Sequence, residues 1–234
     1  MTLAIIQARM GSSRLPGKVI EEINGLPLVL HVQRRLRKSK HIDAIIIATP
    51  PGKENRPLWD EGAIPVGVDE NDVLSRYMVL ANMVDADTIV RITGDCPLVD
   101  HEIVDKTIEA LQGHDVATNV HPTRTFAKGS DVEVLTKGCL FRLNCAAKGK
   151  TREHVTLFMY QNPENFDISS IYNDTDDSSI VICVDYQEDL DRVRDVLEWN
   201  EDASYAEVIQ YLREQDESEV SGIPSVDGGA PVSN

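Results

Sequence analysis

The sequence predicts an α/β domain built on a mostly parallel sheet, and three observations carry that prediction. Short apolar runs bounded by turn residues stand at 3–8, 42–49 and 88–93, the pattern of strands buried on both faces. Stretches with apolar residues at helical spacing stand between and after them, at 25–40, 72–84 and 101–111. Strand and helix therefore alternate, as parallel strands joined by helical crossovers require.

Residues 3–8 (LAIIQA) are the first strand, followed by a Gly/Ser/Pro-rich stretch to Lys18. In 25–40, Leu28, Val32 and Leu36 mark an apolar face, while Arg34, Arg35 and Arg37 stay polar. The second strand, 42–49 (IDAIIIAT), is stopped by Pro50, Pro51 and Gly52. Residues 72–84 read as a helix and 88–93 as a third strand, ending in Gly94-Asp95-Cys96-Pro97. A helix at 101–111 and a short strand at 115–118 follow. The second half changes character, with strands at 130–135, 166–171 and 179–184 and helices at 151–161, 187–200 and 204–214. An antiparallel excursion is expected there, returning to the main sheet through 180–184. Residues 1–214 make one domain, and 215–234 form an acidic tail with little to bury, expected to be disordered.

Charge narrows the function. Thirty-nine acids against 23 bases give a formal net charge of −16 over 234 residues. That argues against a nucleic-acid coat, which needs a basic surface, and disfavours docking on an anionic membrane. The imbalance is uneven: residues 1–42 carry +6 and the rest −22. Four scattered cysteines without a CxxC pair fit neither a disulfide framework nor a zinc ribbon. The N-terminus lacks the basic n-region of a signal peptide, and no run approaches a membrane span. A cytoplasmic protein is expected.

The most informative stretch is Gln7-Ala8-Arg9-Met10-Gly11-Ser12-Ser13-Arg14-Leu15-Pro16-Gly17-Lys18. It follows the first strand and offers three cations, two glycines and two serines without an acid. Small residues let backbone N–H groups approach a phosphate, and Arg and Lys neutralise several phosphate oxygens at once. A Walker A loop is excluded, because five residues separate Gly11 from Gly17 and Val19 follows the lysine. No GxGxxG is present either. Asp95 follows the third strand, where ligands of parallel α/β sheets bind, and is placed to hold a hard cation. Asp185 likewise follows an apolar run and precedes a helix. Magnesium on a nucleotide takes one or two carboxylates plus phosphate oxygens and water, so Asp95 and Asp185 make a metal pair if their segments are neighbours. A helix cap is the plain alternative for each.

Five motifs in order, IIQARMGSSRLPGK, NDVLSRY, RITGDCPL, REHVT and VDYQEDL, resemble the cytidylyltransferases that activate acidic sugars, above all the spore-coat-polysaccharide type. The likeness runs from about residue 3 to residue 200. It implies a Rossmann-like nucleotidyltransferase fold, three-layer α/β/α, with a mostly parallel mixed sheet and a small antiparallel excursion. It implies transfer of CMP from CTP to an acidic or related sugar, with release of pyrophosphate, in polysaccharide or surface-glycan biosynthesis. By that likeness Arg14, Lys18, Asp95 and Asp185 are catalytic, and Asp95 and Asp185 hold Mg2+. Ala8, Arg9, Gly11, Ser12, Ser13, Arg14, Lys18, Ala48, Thr49, Arg76 and Asp95 bind the nucleotide. Glu133 and His154 belong to the sugar side. A homodimer is expected by the same analogy.

Two rival classes stand beside it. A glycosyltransferase on a similar scaffold would hold its metal with an Asp-x-Asp; the candidates are Asp85-Ala86-Asp87, Asp174-Thr175-Asp176 and Asp189-Leu190-Asp191, none after a strong strand. A non-enzymatic nucleotide-sugar-binding subunit would keep the fold without turnover, and the retained cations and aspartates argue against it.

Overall fold

The computed structural model describes residues 1–67 and 69–221, with the helical backbone alone for 218–221. In chain order the elements are β1 (Thr2–Gln7), a hairpin of β2 (Glu22–Ile23) and β3 (Leu26–Pro27), α1 (Leu28–Leu36), β4 (Ala44–Thr49), α2 (Arg56–Asp60) and β5 (Ile64–Pro65). Then come α3 (Val73–Met83), β6 (Thr88–Thr93), α4 (His101–Glu109), β7 (Val116–Thr118) and β8 (Glu133–Thr136). The rest is α5 (Lys137–Ala146), α6 (Lys150–Glu153), α7 (Leu157–Gln161), β9 (Ile168–Ser170), α8 (Gln187–Trp199) and α9 (Tyr205–Ser221).

The main sheet runs β5-β4-β1-β6-β8-β7-β9. β5, β4, β1 and β6 pair in parallel; β8 is antiparallel to both β6 and β7, and β9 is parallel to β7. One reversed strand in a seven-stranded parallel sheet is the expected mixed sheet. Alternation along β1 feeds two cores. Ala4 and Ile6 face one layer with Val32 and Leu36 of α1, Val104 of α4, Val193 of α8 and Val208 of α9. Leu3 and Ile5 face the other with Leu74, Tyr77 and Leu80 of α3 and Leu140 and Leu143 of α5. The result is three layers, α/β/α. Among the described residues no helix is long and apolar enough to cross a membrane.

Several sequence expectations are corrected. Helix α1 starts at Leu28 rather than at residue 25, because Asn24 and Gly25, at φ 52° and 73°, form the turn of the β2–β3 hairpin. Two successive positive-φ residues are what a tight hairpin turn needs. The helix expected over 151–161 is broken into α6 and α7 around His154–Thr156, where Val155 turns into the core at 0% exposure. Residues 179–184 do not rejoin the sheet; their ladder is a single parallel bridge, Lys128 to Val181. Helix α5 stands where the sequence pattern predicts no element. Helix α9 carries the chain from the expected domain end at 214 on to Ser221, and 222–234 of the expected disordered tail lie outside the described residues.

This topology fixes where a ligand can sit. From β1 the chain moves one way to β4 and β5, then returns past β1 to β6. The β1–β6 gap is the switch point, and the loops at its carboxyl end leave a crevice there. The two strand ends close tightly: Gly94 N–H donates to Gln7 O at 2.9 Å. A Cβ at Gly94 would lie 3.0 Å from Ala8 Cβ and 3.2 Å from Gln7 O, so glycine suits that contact.

Candidate active site

At the carboxyl end of β1 and β6 an open cleft of about 340 Å3 is lined by the loop after β1, Ala48, Val73, Arg76, Thr93–Asp95, Glu153 and His154. Of the residues assigned to the nucleotide, Ala8, Arg9, Gly11, Ser12, Ser13, Arg14, Lys18, Ala48, Arg76 and Asp95 line it. Thr49 does not: it is fully buried, and its Oγ1 has no hydrogen-bond partner among the described residues.

The loop is held by one group outside the motifs, Asn55, and by one of its own serines. Met10 N–H donates to Oδ1 of buried Asn55 at 2.9 Å, and Leu15 N–H to Ser12 Oγ at 3.3 Å. Each loop cation faces carboxylates. Arg9 pairs with Glu70 (3.2 Å) and Glu153 (3.7 Å). Arg14 donates to Asp185 Oδ1 at 2.7 Å, with its guanidinium 5.4 Å from the Tyr186 ring centre. Lys18 Nζ donates to Asp95 Oδ2 (2.7 Å), Asp185 Oδ1 (3.0 Å) and the Val184 carbonyl. Its three ammonium protons are therefore all engaged.

Asp95 and Asp185 are neighbours although 179–184 stay outside the sheet. Val184 N–H donates to Asp95 O at 2.8 Å, which lays the segment before α8 against the end of β6. Asp189 fixes the turn by accepting from the N–H groups of Asp185 and Tyr186 at 3.0 and 2.9 Å. The Asp185 side chain is 11% exposed and that of Asp95 28%. Burial pulls the Lys18 ammonium down, but the charges of Asp95 and Asp185 outweigh it and hold the group above its ordinary value. Burial pushes Asp185 up, and the contacts from Lys18, Arg14 and Lys128 outweigh that and hold its carboxyl below the usual range.

The pair suits a hard divalent cation in donor chemistry. Both groups are carboxylates, and among the described residues Asp95 Oδ1 carries only a long contact, 3.7 Å from the Cys96 thiol. Among the described residues no third His, Cys, Asp or Glu joins them in a metal-binding group. Two carboxylates leave the remaining positions to phosphate oxygens and water, as Mg2+ on a nucleotide prefers.

Arg76 is 4% exposed and donates to the carbonyls of Asp69 and Glu70 at 2.8 and 2.9 Å. Burial lowers its guanidinium from the ordinary value. It orders the turn that presents Glu70 to Arg9. His154 is exposed at the end of α6 and lines the cleft. Glu133 lies elsewhere: it is 2% exposed, faces Arg91 across β6–β8, and its carboxylate binds Arg91 and the Tyr160 hydroxyl. Glu133 is not among the residues that line the cleft.

None of the Asp-x-Asp candidates lines the cleft, although Asp189 of the third supports the turn that carries Asp185. Asp85 and Asp87 sit before β6, at the opposite end of the sheet, paired with Lys137 and the N-terminus at 2.8 Å each. Asp176 accepts from Ser178 N–H in a turn, and Asp189 caps α8. Residues with no sequence signal include Asn55 and Lys128, whose Nζ lies 3.4 Å from Asp185 Oδ2.

Known proteins match this architecture. A sequence profile described as cytidylyltransferase matches residues 3–215. The spore coat polysaccharide biosynthesis protein SpsF of Bacillus subtilis is 34% identical over 174 residues, covering 69% of this chain and 70% of its own length. A 3-deoxy-manno-octulosonate cytidylyltransferase of Trichlorobacter lovleyi is 32% identical over 114 residues, 48% of this chain and 45% of its own. A solved cytidylyltransferase structure from Leptospira borgpetersenii superposes with TM-score 0.85 at 28% identity, covering 100% of this chain and 99% of that one. The profile match takes in both the cation loop and Asp185, and the chain belongs to the cytidylyltransferase family.

Proposed function

We propose that this enzyme transfers CMP from CTP to an acidic sugar, releasing pyrophosphate, in the synthesis of a polysaccharide or surface glycan. The observation that carries it is the meeting of Lys18, Asp95 and Asp185 beside a three-cation loop at the sheet's switch point. The relatives named for spore coat polysaccharide and for 3-deoxy-manno-octulosonate support the sugar class.

In this reading a sugar hydroxyl attacks the α-phosphorus of CTP and the bond to the pyrophosphate oxygen breaks. Little covalent chemistry falls to the protein, so positioning and charge dominate. Backbone N–H groups of Gly11 and Ser13 face the triphosphate, and Arg9 and Arg14 turn from their carboxylate partners onto its oxygens. Arg14 and Lys18 stabilise charge developing on the leaving pyrophosphate. Asp95 and Asp185 would hold Mg2+, which would supply neutralisation of phosphate charge and a lowered pKa for the attacking hydroxyl. Ala48 faces the base, Arg76 orders the adjoining turn, and His154 lies on the sugar side. The cytoplasm is the compartment and a homodimer the assembly, on family likeness alone.

The test is pyrophosphate release from CTP across a panel of 2-keto-3-deoxy sugar acids with Mg2+. Appearance of pyrophosphate supports the assignment. Release of nucleoside mono- or diphosphate from a nucleotide sugar instead means a glycosyltransferase.

A further inference from the structure

Asp185 has two faces. Arg14 and Lys18 engage Oδ1 at 2.7 and 3.0 Å from the phosphate loop, whereas Lys128 approaches Oδ2 at 3.4 Å from the long loop between β7 and β8. That position is built. Lys128 N–H donates to Ile180 O at 2.9 Å, and its carbonyl accepts from Ile182 N–H at 2.8 Å. Gly129 follows at φ +110°, where a Cβ would lie 2.4 Å from Cys183 N. Only a glycine lets the loop press so closely on the segment leading to Asp185. The nearby Arg124 is already bound in a fork by Asp131, at 2.5 and 2.8 Å. Lys128 differs: its side chain is 51% exposed, and the ammonium makes one long contact to a carboxylate oxygen. It keeps donors for a ligand.

The triphosphate is matched by the three cations of the opening loop, so a cation on the far side of Asp185 answers to another anion. In the ring form of a 2-keto-3-deoxy sugar acid, the anomeric hydroxyl and the carboxylate stand on the same carbon. A hydroxyl that attacks beside Asp95 and Asp185 therefore brings its carboxylate up against theirs. Like charges at that distance repel unless a cation stands between them.

We propose that Lys128 is a specificity-determining residue that receives the carboxylate of the acidic sugar across Asp185 from the phosphate loop. The proposal rests on the CTP and acidic-sugar reading above. It is tested by steady-state pyrophosphate release with the wild type, Lys128→Gln and Lys128→Arg. The probes are a 2-keto-3-deoxy sugar acid that the wild type accepts and its C1 carboxamide. Losing one charge-assisted hydrogen bond should raise KM for the acid about 10- to 100-fold in Lys128→Gln, leaving KM for CTP within about twofold. Lys128→Arg should recover most of the loss, and the carboxamide should lose nothing further with Lys128→Gln. A rise in KM for CTP in step with that for the sugar overturns the proposal, as does equal loss for acid and carboxamide. Failure of the wild type with every sugar acid defeats the underlying functional reading instead.

Discussion

Lys18 Nζ lies 3.0 Å from Asp185 Oδ1, joining positions 167 residues apart. The same ammonium reaches Asp95 at 2.7 Å, so one buried lysine ties the first loop, the end of β6 and the approach to α8 together. The carboxylates that can bind a cation already share one. Arg14 and Arg9 are likewise matched to acids in this state, Arg14 to Asp185 and Arg9 to Glu70. Each cation of the opening loop is thus paired with at least one carboxylate.

Lys18→Ala should therefore fail where Lys38→Ala does not. Lys38 pairs with Asp202 on the surface at 2.7 Å, and exposed pairs of that kind contribute little. We expect Lys18→Ala to lower kcat/KM for CTP by about 10²-fold or more, against a change within about twofold for Lys38→Ala. Comparable losses in the two variants would show that the opening loop is not the phosphate site.

Asp95→Asn keeps the shape and removes a charge. Turnover should fall about 10²- to 10³-fold, the scale for losing one key electrostatic group. Raising Mg2+ should recover part of the rate if metal affinity is what was weakened. A near wild-type rate at ordinary Mg2+ would remove Asp95 from the metal pair.

How much of this was legible in the chain depends on range. The strands 3–8 and 88–93 announced themselves as apolar runs, and the loop between Ala8 and Lys18 announced its chemistry by composition. Lys128 did not, because its role comes from a bridge to Val181, 53 positions on, which no local pattern encodes. Residues 179–184 read as a sheet strand for the same reason: their apolar run was visible, but not that their ladder is this single bridge. Glu133 was placed at the sugar by likeness alone, whereas its position opposite Arg91 is a matter of register. Helix α5 escaped notice because Gly138 weakens its start and its buried face rests on Cys139, Leu140 and Leu143.

The pH dependence of stability follows from the same cluster. Asp185 is held below its ordinary value of 3.8, so its share of stability is present above that pH and is lost as the pH falls through its lower folded value. Lys18 is held above 10.5, so its share is present below that pH and is lost as the pH rises further. Lys18→Met should cost about 2 kcal/mol, below the usual cost of breaking a fully buried pair because Asp95 is part-exposed. That difference from wild type should stay level from about pH 5 to pH 9 and shrink beyond either end. Urea unfolding across pH measures it, and a difference that kept growing below pH 3.8 would contradict the assignment.

Arg91 and Glu133 test the other half of the domain. They face each other across β6 and β8, with side chains 16% and 3% exposed, and Tyr160 completes the group. Arg91 Nε is buried without a partner among the described residues, so the guanidinium is not fully satisfied even in the native state. Arg91→Met leaves a carboxylate facing only the Tyr160 hydroxyl, and it should cost about 3–5 kcal/mol in urea unfolding. Adding Glu133→Gln removes the orphaned charge, and the double variant should be more stable than Arg91→Met alone. If the pair mattered only as packing, the two losses would instead add, leaving the double variant the least stable of the set.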